Sequence, residues 1–296
     1  MIRVAILGST GMLGSTITRV LEKNIATVYE FNRQGVSVTK KNEARKFDVT
    51  KRHDFAEILN GLKLNYIINC IGKIKQLIDT SDEGSVKLAY EVNSEFPLKL
   101  DKYAASLGIS VIQIATDCVY SGNYGLYSEN DPHDPIDLYG MTKNKGELSA
   151  TSSMQIRCSI IGKELHTSNS LLSWVISQPK NSEINGFTNH FWNGVTTFHF
   201  SQIISGVIKN DFFTRGLFHL VPSDIVSKYE LIKLIARSFD RQDLIISKFE
   251  SETTINRSLI TVNPQINLSL WKNGGYNVVP TIKEMVSTYS TWTKLE

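Results

Sequence analysis

The chain has 296 residues with a formal net charge of +3 at pH 7 and a sequence pI near 8.6. This length allows one large domain or two coupled domains with an ample core. Basic and acidic residues are interspersed, without a polybasic tail or an acidic block, so neither a nucleic acid nor a membrane surface is expected as a partner. No stretch approaches the roughly 20 apolar residues of a membrane span, and the start lacks the features of a signal peptide.

The cysteines and histidines lack the paired spacing of metal ligands. We therefore expect no metal site, either at His53 or at any other histidine. Cys70, Cys118 and Cys158 each lie in or just after an apolar, strand-like run. Reduced, packed thiols are typical of a cytoplasmic protein, and a cytoplasmic location is expected.

A glycine-rich loop follows the first predicted strand, Ile2 to Leu7. It reads Gly8-Ser9-Thr10-Gly11-Met12-Leu13-Gly14, and a helical pattern continues after it. Between a strand and a helix, glycines allow a tight turn and let backbone N–H groups approach a pyrophosphate. The loop therefore predicts a dinucleotide site, with an ordinary strand–helix turn as the alternative.

The second predicted strand, Ala26 to Phe31, is followed by Asn32 and Arg33. In dinucleotide-binding folds the residue after this strand meets the adenosine ribose. An acidic residue there binds the 2′-hydroxyl, whereas an arginine accommodates a 2′-phosphate. Arg33 therefore favours NADP(H), with NAD(H) possible. The alternative is a solvated surface arginine.

The next segments supply further candidates for the cofactor site. Asp48 precedes a helix predicted over Lys51 to Leu59; it either reaches the adenine amine or only starts that helix. A buried strand over Tyr66 to Ile71 comes next. If the sheet is parallel, the end of this strand lies beside the nicotinamide-side ribose. The residues concerned are Cys70, Ile71 and Gly72.

A long helical pattern runs from Ser85 to Leu107 and contains Asn93 and Pro97. The proline predicts a start, kink or break near its position. Another strand, Ile109 to Ala115, follows. This alternation of strands and helices predicts a parallel sheet with helices on both faces.

Three polar residues after this strand carry the candidate chemistry. Thr116 ends the strand, and Tyr139 and Lys143 lie four apart on a predicted helix, on one face and roughly 6 Å apart at their Cβ atoms. A nearby ammonium is expected to lower the pKa of the phenol. Such a phenol exchanges a proton with a carbonyl or alcohol oxygen. Given a hydride donor, this arrangement predicts the reduction of a ketone.

The regular alternation weakens beyond a strand predicted over Met154 to Ile161. Further helices are predicted within Ser170 to Ser177, Gln202 to Val207 and Ser227 to Phe239, and a strand over Gly216 to Val221. Residues 185–190 and the tail, with its prolines and glycines, are predicted to be loops.

Three stretches together resemble the extended short-chain dehydrogenase/reductases, and more narrowly the dTDP-4-dehydrorhamnose reductase family. They are the glycine loop, Ile114 to Pro135, and Leu138 to Glu147; weaker similarity returns at residues 193–198 and 256–258. The resemblance implies a Rossmann-type, doubly wound parallel sheet over residues 1–160, with 196–215 returning to it. A smaller, interleaved substrate-binding lobe would comprise residues 161–195 and 216–296. It also implies a possible homodimer, for which the long helical segment is the natural interface.

The same resemblance implies hydride transfer from NAD(P)H to C4 of a nucleotide-linked 4-keto-6-deoxy sugar. Tyr139 would donate the proton, Lys143 would support it and bind the nicotinamide ribose, and Thr116 would hold the substrate oxygen. Gly8, Gly11 and Gly14 would shape the pyrophosphate site, with the backbone of Met12 and Leu13 against it, and Asp48 and Val49 would contact the adenine. The candidate substrate-binding residues are Lys73, Asn93, Thr116, Asp117, Tyr139, Ile160 and Arg257.

Two departures from the family leave the sugar and the nucleotide base open. Ile160 replaces an aromatic residue, and residues 194–197 lack the usual proline. Arg257 is expected either to clamp a diphosphate or to form a surface ion pair, and Lys73 has the same two interpretations.

Three other functions of this superfamily are alternatives to ketone reduction. A 4,6-dehydratase is disfavoured because Cys118, not a second acid, follows Asp117. A 4-epimerase uses the same Tyr and Lys and is not excluded. A non-catalytic regulatory subunit, such as that of methionine adenosyltransferase, is a third possibility, against which the intact Thr116, Tyr139 and Lys143 argue.

Overall fold

The computed structural model describes residues 1–25, 27–51, 55–59, 61–149 and 152–296. The strands within these ranges are β1 Arg3–Leu7, β2 Thr27–Asn32, β3 Glu43–Lys46, β4 Tyr66–Asn69, β5 Ser110–Ala115, β6 Met154–Arg157, β7 Ile160–Ile161, β8 Glu183–Phe187, β9 His190–Trp192, β10 Val195–Thr196, β11 Gly216–His219, β12 Val226–Ser227, β13 Ile245–Phe249 and β14 Ile255–Asn256. The helices are α1 Met12–Asn24, α2 Phe55–Leu59, α3 Glu83–Tyr90, α4 Phe96–Ser106, α5 Leu138–Ser149, α6 Leu171–Ser177, α7 Thr197–Lys209, α8 Lys228–Ser238, α9 Pro264–Asn273 and α10 Ile282–Leu295.

Parallel strands of the described ranges form one seven-stranded sheet in the order β3-β2-β1-β4-β5-β6-β11. Every pairing in it is parallel. The order of the first six strands is that of doubly wound dinucleotide-binding sheets. The predicted parallel sheet is therefore confirmed.

Both faces of this sheet are covered, as the apolar sequences of its strands require. Val4 and Ile6 of β1 pack in one cluster with residues of α1 and α7. Ala5 and Leu7 point to the opposite face and pack in a second cluster with residues of α4. Successive side chains of a strand alternate between faces, so a single buried strand contributes to both halves of the core.

The helical segment after β4 contains a wide turn. Residues Glu91–Glu95 form a π-helical turn between α3 and α4, and Pro97 lies in the first turn of α4. A proline is tolerated there because the first backbone N–H groups of a helix lack intrahelical partners. The break predicted near Pro97 is confirmed.

The seventh strand, β11, lies at the edge of the large sheet, paired in parallel with β6. Its residues were predicted to lie in the smaller lobe. Their pairing with β6 puts them in the large sheet instead. Most of the rest of the C-terminal part forms short sheets, β7 with β10, β8 with β13, and β9 between β12 and β14, together with α8, α9 and α10.

Two loop predictions for this part are wrong. Residues 185–190 belong largely to β8 and β9, and the tail contains α9 and α10. Pro264 opens α9, and Thr281 caps α10 with Glu284 in a capping box. Proline at the first helical position and a capping box both start helices, so these residues mark helix starts.

The predicted strand over Met154 to Ile161 is divided into β6 and β7. Of the helix predicted over Lys51 to Leu59, residues 55–59 are helical; residues 52–54, which include His53, and Ala26 of the second predicted strand lie outside the described ranges. In the part of the chain described, none of the helices is long and apolar enough to cross a membrane.

Candidate active site

The carboxyl ends of four adjacent strands bring most of the predicted site residues to one edge of the sheet. Across this edge, Arg33 follows β2, the glycine loop follows β1, Cys70 follows β4 and Thr116 follows β5. Parallel neighbours end side by side, so these loops are neighbours too. Ligands of open parallel sheets bind in the crevice at such an edge.

The glycine loop has a backbone that other residues would not adopt. Gly8 has a φ of +83°, and a Cβ atom on Gly14 would lie 2.1 Å from the Gly8 carbonyl oxygen. The Gly8 N–H donates to the Phe31 carbonyl at 2.7 Å, which holds the loop against β2. A side chain at Gly14 would push α1 away from the loop, whereas one at Gly8 would be strained by the positive φ and would crowd Cys70 and Ile71.

The loop delivers the start of α1 to the sheet edge. Gly11 precedes Met12, and within the described residues no side chain caps this helix and no acidic residue lies in its first turn. The first N–H groups of a helix attract anions. The geometry thus suits a pyrophosphate, as predicted for Gly8, Gly11, Met12, Leu13 and Gly14, with Thr10 between them.

Arg33 is exposed in the turn that follows β2. Its charge acts on Asp48, which lies after β3. Asp48 Oδ1 accepts from the Thr50 N–H at 3.1 Å and from the Thr50 hydroxyl at 2.8 Å. Burial raises the Asp48 pKa, but these hydrogen bonds and the nearby cations outweigh it and hold the pKa below its usual value. Asp48 is thus an ionised turn residue beside Arg33; its predicted adenine contact, and that of Val49, stay predictions.

The segment after β4 continues along the same edge. The Cys70 N–H donates to the Leu7 carbonyl at 2.9 Å, and burial raises the pKa of the Cys70 thiol to about 12. Ile71 is partly buried, whereas Gly72 is exposed. A Cβ atom on Gly8 would lie 3.1 Å from Ile71 Cγ1. The predicted neighbours of the nicotinamide ribose therefore adjoin the glycine loop.

Asn93 makes structural hydrogen bonds, and its predicted substrate contact stays a prediction. It is 2% exposed. Its Oδ1 accepts from the Lys73 N–H at 2.8 Å, and its Nδ2 donates to the Lys73 carbonyl at 2.9 Å and to Thr142 Oγ1 at 3.0 Å. These bonds fasten the loop after β4 to α5. Lys73, which is partly buried, is held through its backbone, and its side-chain role stays a prediction.

Thr116, Tyr139 and Lys143 come together where β5 ends. The Thr116 side chain lies close enough to Tyr139 to lower the pKa of its phenol, and the Thr116 hydroxyl donates to Asp117 Oδ1 at 3.3 Å. Lys143 is 7% exposed, and its Nζ donates to the Ile114 carbonyl at 2.8 Å. A Cβ atom on Gly140 would lie 2.2 Å from the Cys118 carbonyl oxygen, so this glycine lets α5 approach the 3-10 turn Asp117–Val119.

The expected lowering of the tyrosine pKa is not found. Burial raises the pKa of Tyr139 above its ordinary value, and the charges of Cys118 and Asp117 add to the rise. Burial also lowers the pKa of Lys143, against the opposing effect of Glu147. Desolvation penalises both charged forms, and it outweighs the ammonium. Tyr139 is therefore neutral in this state and holds the proton that a reduction consumes.

A group of charged side chains lies beside these three. Burial raises the pKa of Asp117, against the effect of Arg257 and Lys228. Burial lowers the pKa of Lys228 to about 8, against the effect of Asp117 and Cys118. Burial raises the Cys118 pKa to about 12. Arg257 is anchored through its Nε, which donates to the Tyr120 carbonyl at 2.8 Å.

Lys228 is a site residue that sequence reasoning missed. It opens α8 directly after the helix-capping Ser227, and its Nζ lies 5.6 Å from the centre of the Trp192 ring. Trp192 is 3% exposed, and its Nε1 donates to Ser159 Oγ at 2.8 Å. The sequence contains no motif that pairs Lys228 with Asp117. The one signal was the position of the lysine in the first turn of a predicted helix, where acidic residues are favoured.

Ile160 lies in the short strand β7 beside Val195 of β10. It is partly buried and packs against the larger of the two core clusters. Its contact with a sugar stays a prediction. Within the described ranges, no group of three His, Cys, Asp or Glu side chains is placed to hold a metal ion.

The family described as the RmlD substrate binding domain matches residues 2–288 of this chain. The chain belongs to this family and, with it, to the extended short-chain dehydrogenase/reductases. The resemblance in the sequence is therefore confirmed.

Curated relatives carry two kinds of name. A dTDP-4-dehydrorhamnose reductase of Streptomyces griseus is 29% identical over 146 residues, 49% of this chain and 43% of that protein; the matched part thus spans less than half of that relative. A reductase of the same name from Aggregatibacter actinomycetemcomitans is 25% identical and covers 78% of this chain and 76% of its own. Methionine adenosyltransferase 2 subunit beta of Danio rerio is 23% identical over 80% of this chain and 74% of its own.

Solved structures share the fold over nearly the whole length. A dTDP-4-dehydrorhamnose reductase of Bacillus anthracis in complex with NADP has a TM-score of 0.77 at 19% identity, covering 99% of this chain and 100% of its own. MoeE5 in complex with UDP-glucuronic acid and NAD has a TM-score of 0.75 at 16% identity, covering 99% of each chain. These likenesses confirm the Rossmann-type fold.

Proposed function

We propose that this protein reduces the 4-keto group of a nucleotide-linked 6-deoxy sugar with NADPH. The observation that carries the proposal is the meeting of Thr116, Tyr139 and Lys143 at the edge of the sheet where the glycine loop opens. Relatives named dTDP-4-dehydrorhamnose reductase support it. A role in the synthesis of surface-polysaccharide or glycan precursors follows from such a substrate.

The cofactor would lie along the loops of this edge. The uncapped start of α1 suits the pyrophosphate, and the exposed Arg33 suits a 2′-phosphate. Bound NADPH would supply the hydride for C4. The likeness to a reductase in complex with NADP supports this choice, while neighbours in complex with NAD keep NAD(H) possible.

The protein's own part in the reaction is the handling of one proton. Tyr139 would give its hydroxyl proton to the C4 oxygen, and the Thr116 hydroxyl would hold the same oxygen. Loss of that proton leaves a phenolate, which the Lys143 ammonium stabilises from one helical turn away. The Ile114 carbonyl keeps the ammonium in place.

The nucleotide sugar would occupy the space between the catalytic helix and the second lobe. Lys228 and Arg257 would attract its diphosphate, because both are cations beside the reacting groups. The cysteines, Cys70, Cys118 and Cys158, are free thiols, and we propose a cytoplasmic location, where thiols stay reduced.

An NADPH-oxidation assay tests this proposal. Purified protein is given dTDP-, UDP- and GDP-linked 4-keto-6-deoxy sugars, and the absorbance of NADPH is followed. We expect consumption with one nucleotide class and a 4-hydroxy sugar as the product. With the corresponding 4-hydroxy sugars as substrates, interconversion of C4 epimers without net NADPH consumption would instead identify an epimerase, like the UDP-glucuronic acid 4-epimerase of Bacillus cereus, which shares the fold. The absence of both activities would overturn the proposal.

The choice of NADPH over NADH has its own test. Replacement of Arg33 by Ala should weaken NADPH binding by about tenfold, the size expected for the loss of a charged hydrogen bond, and leave NADH binding unchanged. Arg237→Ala, which removes an exposed arginine of α8, serves as the control. Equal weakening for both cofactors would contradict a 2′-phosphate contact.

A further inference from the structure

A buried ion pair lies beneath the candidate active site. Arg157 Nη2 of β6 and Glu147 Oε2 of α5 are 2.7 Å apart, and their side chains are 0% and 2% exposed. Removing two charges from water is costly. Such a pair persists where most of the remaining polar atoms have partners, which holds within the described residues for all of them except the buried Arg157 Nε.

The two oxygens of Glu147 serve different elements. Its Oε1 accepts the Thr116 N–H at 3.0 Å, whereas its Oε2 accepts from Arg157. The Glu147 carbonyl also accepts from Gln155 Nε2 at 3.1 Å. One carboxylate therefore ties α5 to the end of β5 and to β6.

Glu147 shares a helix face with the reacting groups. Tyr139, Lys143 and Glu147 follow one another at intervals of four residues on α5, which places them on one side of the helix. The N–H that Glu147 binds belongs to Thr116, whose side chain contacts Tyr139. A shift of Glu147 would therefore alter the spacing between Thr116 and Tyr139.

Further partners fix the arginine. Its Nη1 donates to Tyr120 Oη at 2.7 Å and lies 3.1 Å from His219 Nε2, and its Nη2 lies 3.0 Å from His133 Nε2. The Nδ1 atoms of the two histidines face the Ile260 carbonyl and Asn144 Oδ1. These partners assign the proton of each ring to Nδ1 and leave Nε2 as an acceptor for the guanidinium.

We propose that Glu147 is a positioning residue of the reaction. Its carboxylate fixes the backbone of Thr116 against the helix that carries Tyr139 and Lys143, and it keeps a negative charge one turn from the Lys143 ammonium. Arg157 holds the carboxylate in place. This inference rests on the proposed function for its effect on turnover, but its geometric part concerns the protein alone.

The groups around Lys143 determine how much Glu147 affects the pKa of its ammonium. Glu147 raises the Lys143 pKa, whereas burial, the largest influence, and Arg157 lower it; Cys118, from the turn after β5, raises it. Tyr139 faces it from the same helix. Without the carboxylate, burial and Arg157 act with less opposition. Lys143 would then lose its proton at a lower pH, and the phenolate would lose its support.

Two variants separate positioning from mere stability. In Glu147→Gln the amide N–H group faces an N–H donor, from either Thr116 or Arg157, that the carboxylate accepted before. Both the Tm and kcat should therefore fall. The double variant Glu147→Met, Arg157→Met leaves no uncompensated buried charge, so its Tm should lie above that of Glu147→Gln, although Tyr120, His133 and His219 each lose a partner. We expect kcat to stay about tenfold or more below wild type, as expected for misplaced groups, with the KM for NADPH within about twofold. Recovery of kcat together with the Tm would overturn the proposal.

A spectroscopic titration makes the test independent of any substrate. In protein labelled with ¹³C at the lysine ε-carbons, the Lys143 signal is assigned by comparison with Lys143→Met and titrated. We expect a lower Lys143 pKa and a shifted Thr116 amide resonance in Glu147→Gln. Asp101→Asn, which alters another buried carboxylate that accepts a backbone N–H, should leave both unchanged. Wild-type values in Glu147→Gln would overturn the proposal even if the sugar substrate proves to be different.

Discussion

The Lys143 ammonium donates a 2.8 Å hydrogen bond to the backbone carbonyl of Ile114, which lies in β5 two residues before Thr116. The lysine of α5 is thus held by the same strand that delivers the threonine. Its charge is fixed near Tyr139, while burial keeps the pKa of that phenol high. Under the proposed function, Tyr139 would release its proton only when a negative charge develops on the oxygen of a bound substrate.

The first prediction concerns the proton donor. Replacement of Tyr139 by Phe removes the hydroxyl but keeps the ring, so kcat should fall by about 100-fold or more, the usual contribution of a general acid. NADPH binding, measured by fluorescence titration, should change by less than about twofold, since the loss of one neutral hydrogen bond is small. Thr116→Val should lower kcat to a smaller extent. A Tyr139→Phe protein with near wild-type kcat would contradict this role.

A second prediction concerns the glycine loop. Gly14→Ala would place a Cβ atom 2.1 Å from the Gly8 carbonyl oxygen, which forces α1 away from the loop. We expect the Kd for NADPH to rise by more than about tenfold, because the helix N-terminus that suits the pyrophosphate is displaced. Gly84→Ala, where the nearest atom is a flexible carboxylate oxygen of Asp82 at 3.4 Å, should keep the wild-type Kd.

Lys228 leads to a prediction about pH. Its pKa in the free protein is about 8, so its positive charge is present below pH 8 and is lost above it. Because kcat/KM reports the ionisation of the free enzyme, kcat/KM for the nucleotide sugar should fall as the pH rises through about 8.

Two replacements assign this limb of the pH profile. Lys228→Arg should remove it and keep substrate binding, whereas Lys228→Met should raise KM by about tenfold at pH 7, as expected for a lost charged contact. Lys233→Met, in the same helix, is the control; its lysine lies over the Tyr229 ring instead. A pH profile that is unchanged in Lys228→Arg would show that another group titrates.

A fourth prediction concerns stability at acid pH. His219 has a fully buried side chain, and burial, followed by the nearby Arg157, lowers its pKa to about 4 from the usual 6.5. The unfolded chain therefore takes up this proton first as the pH falls. Stability from this group is complete above pH 6.5 and decreases towards pH 4, with a loss of about 2 kcal/mol between pH 6.5 and pH 5.

Urea unfolding at these two pH values measures that loss. The decrease should be smaller in His219→Gln than in wild type and unchanged in His166→Gln, which alters an exposed histidine. An equal decrease in all three proteins would place the titrating group elsewhere.

The sequence predicted the parts of the site that depend on local order. The glycine loop lies between neighbouring elements, and Tyr139 and Lys143 share one helix, so their spacing alone brings them together. The pKa of Tyr139 was predicted in the wrong direction, because burial depends on how α5 packs against the turn after β5. The hydrogen bonds of Asn93 to Lys73 and Thr142 were not predicted for the same reason, because they depend on packing between segments.

Contacts between residues that are far apart in the chain could not be predicted from the sequence. Lys228 of α8 lies near Asp117 of the turn after β5, and Arg157 contacts Tyr120, His133 and His219, which come from three separate segments of the chain. Polar residues scattered in this way leave no period or motif in the sequence. The helices α9 and α10 were missed because Pro264 and Thr281, which open them, also favour turns.

The π-helical turn Glu91–Glu95 limits how this site can open. Ser94 Oγ donates to the Thr142 carbonyl at 2.7 Å, and a Cβ atom on Gly146 would lie 2.2 Å from the Asn93 carbonyl oxygen. Helix α5 is thus held against the π-helical turn at two positions one helical turn apart, and at Gly146 the two backbones lie close together. We therefore expect α5 to stay fixed during turnover, so that any opening of the site comes from the segments that carry Lys228 and Arg257.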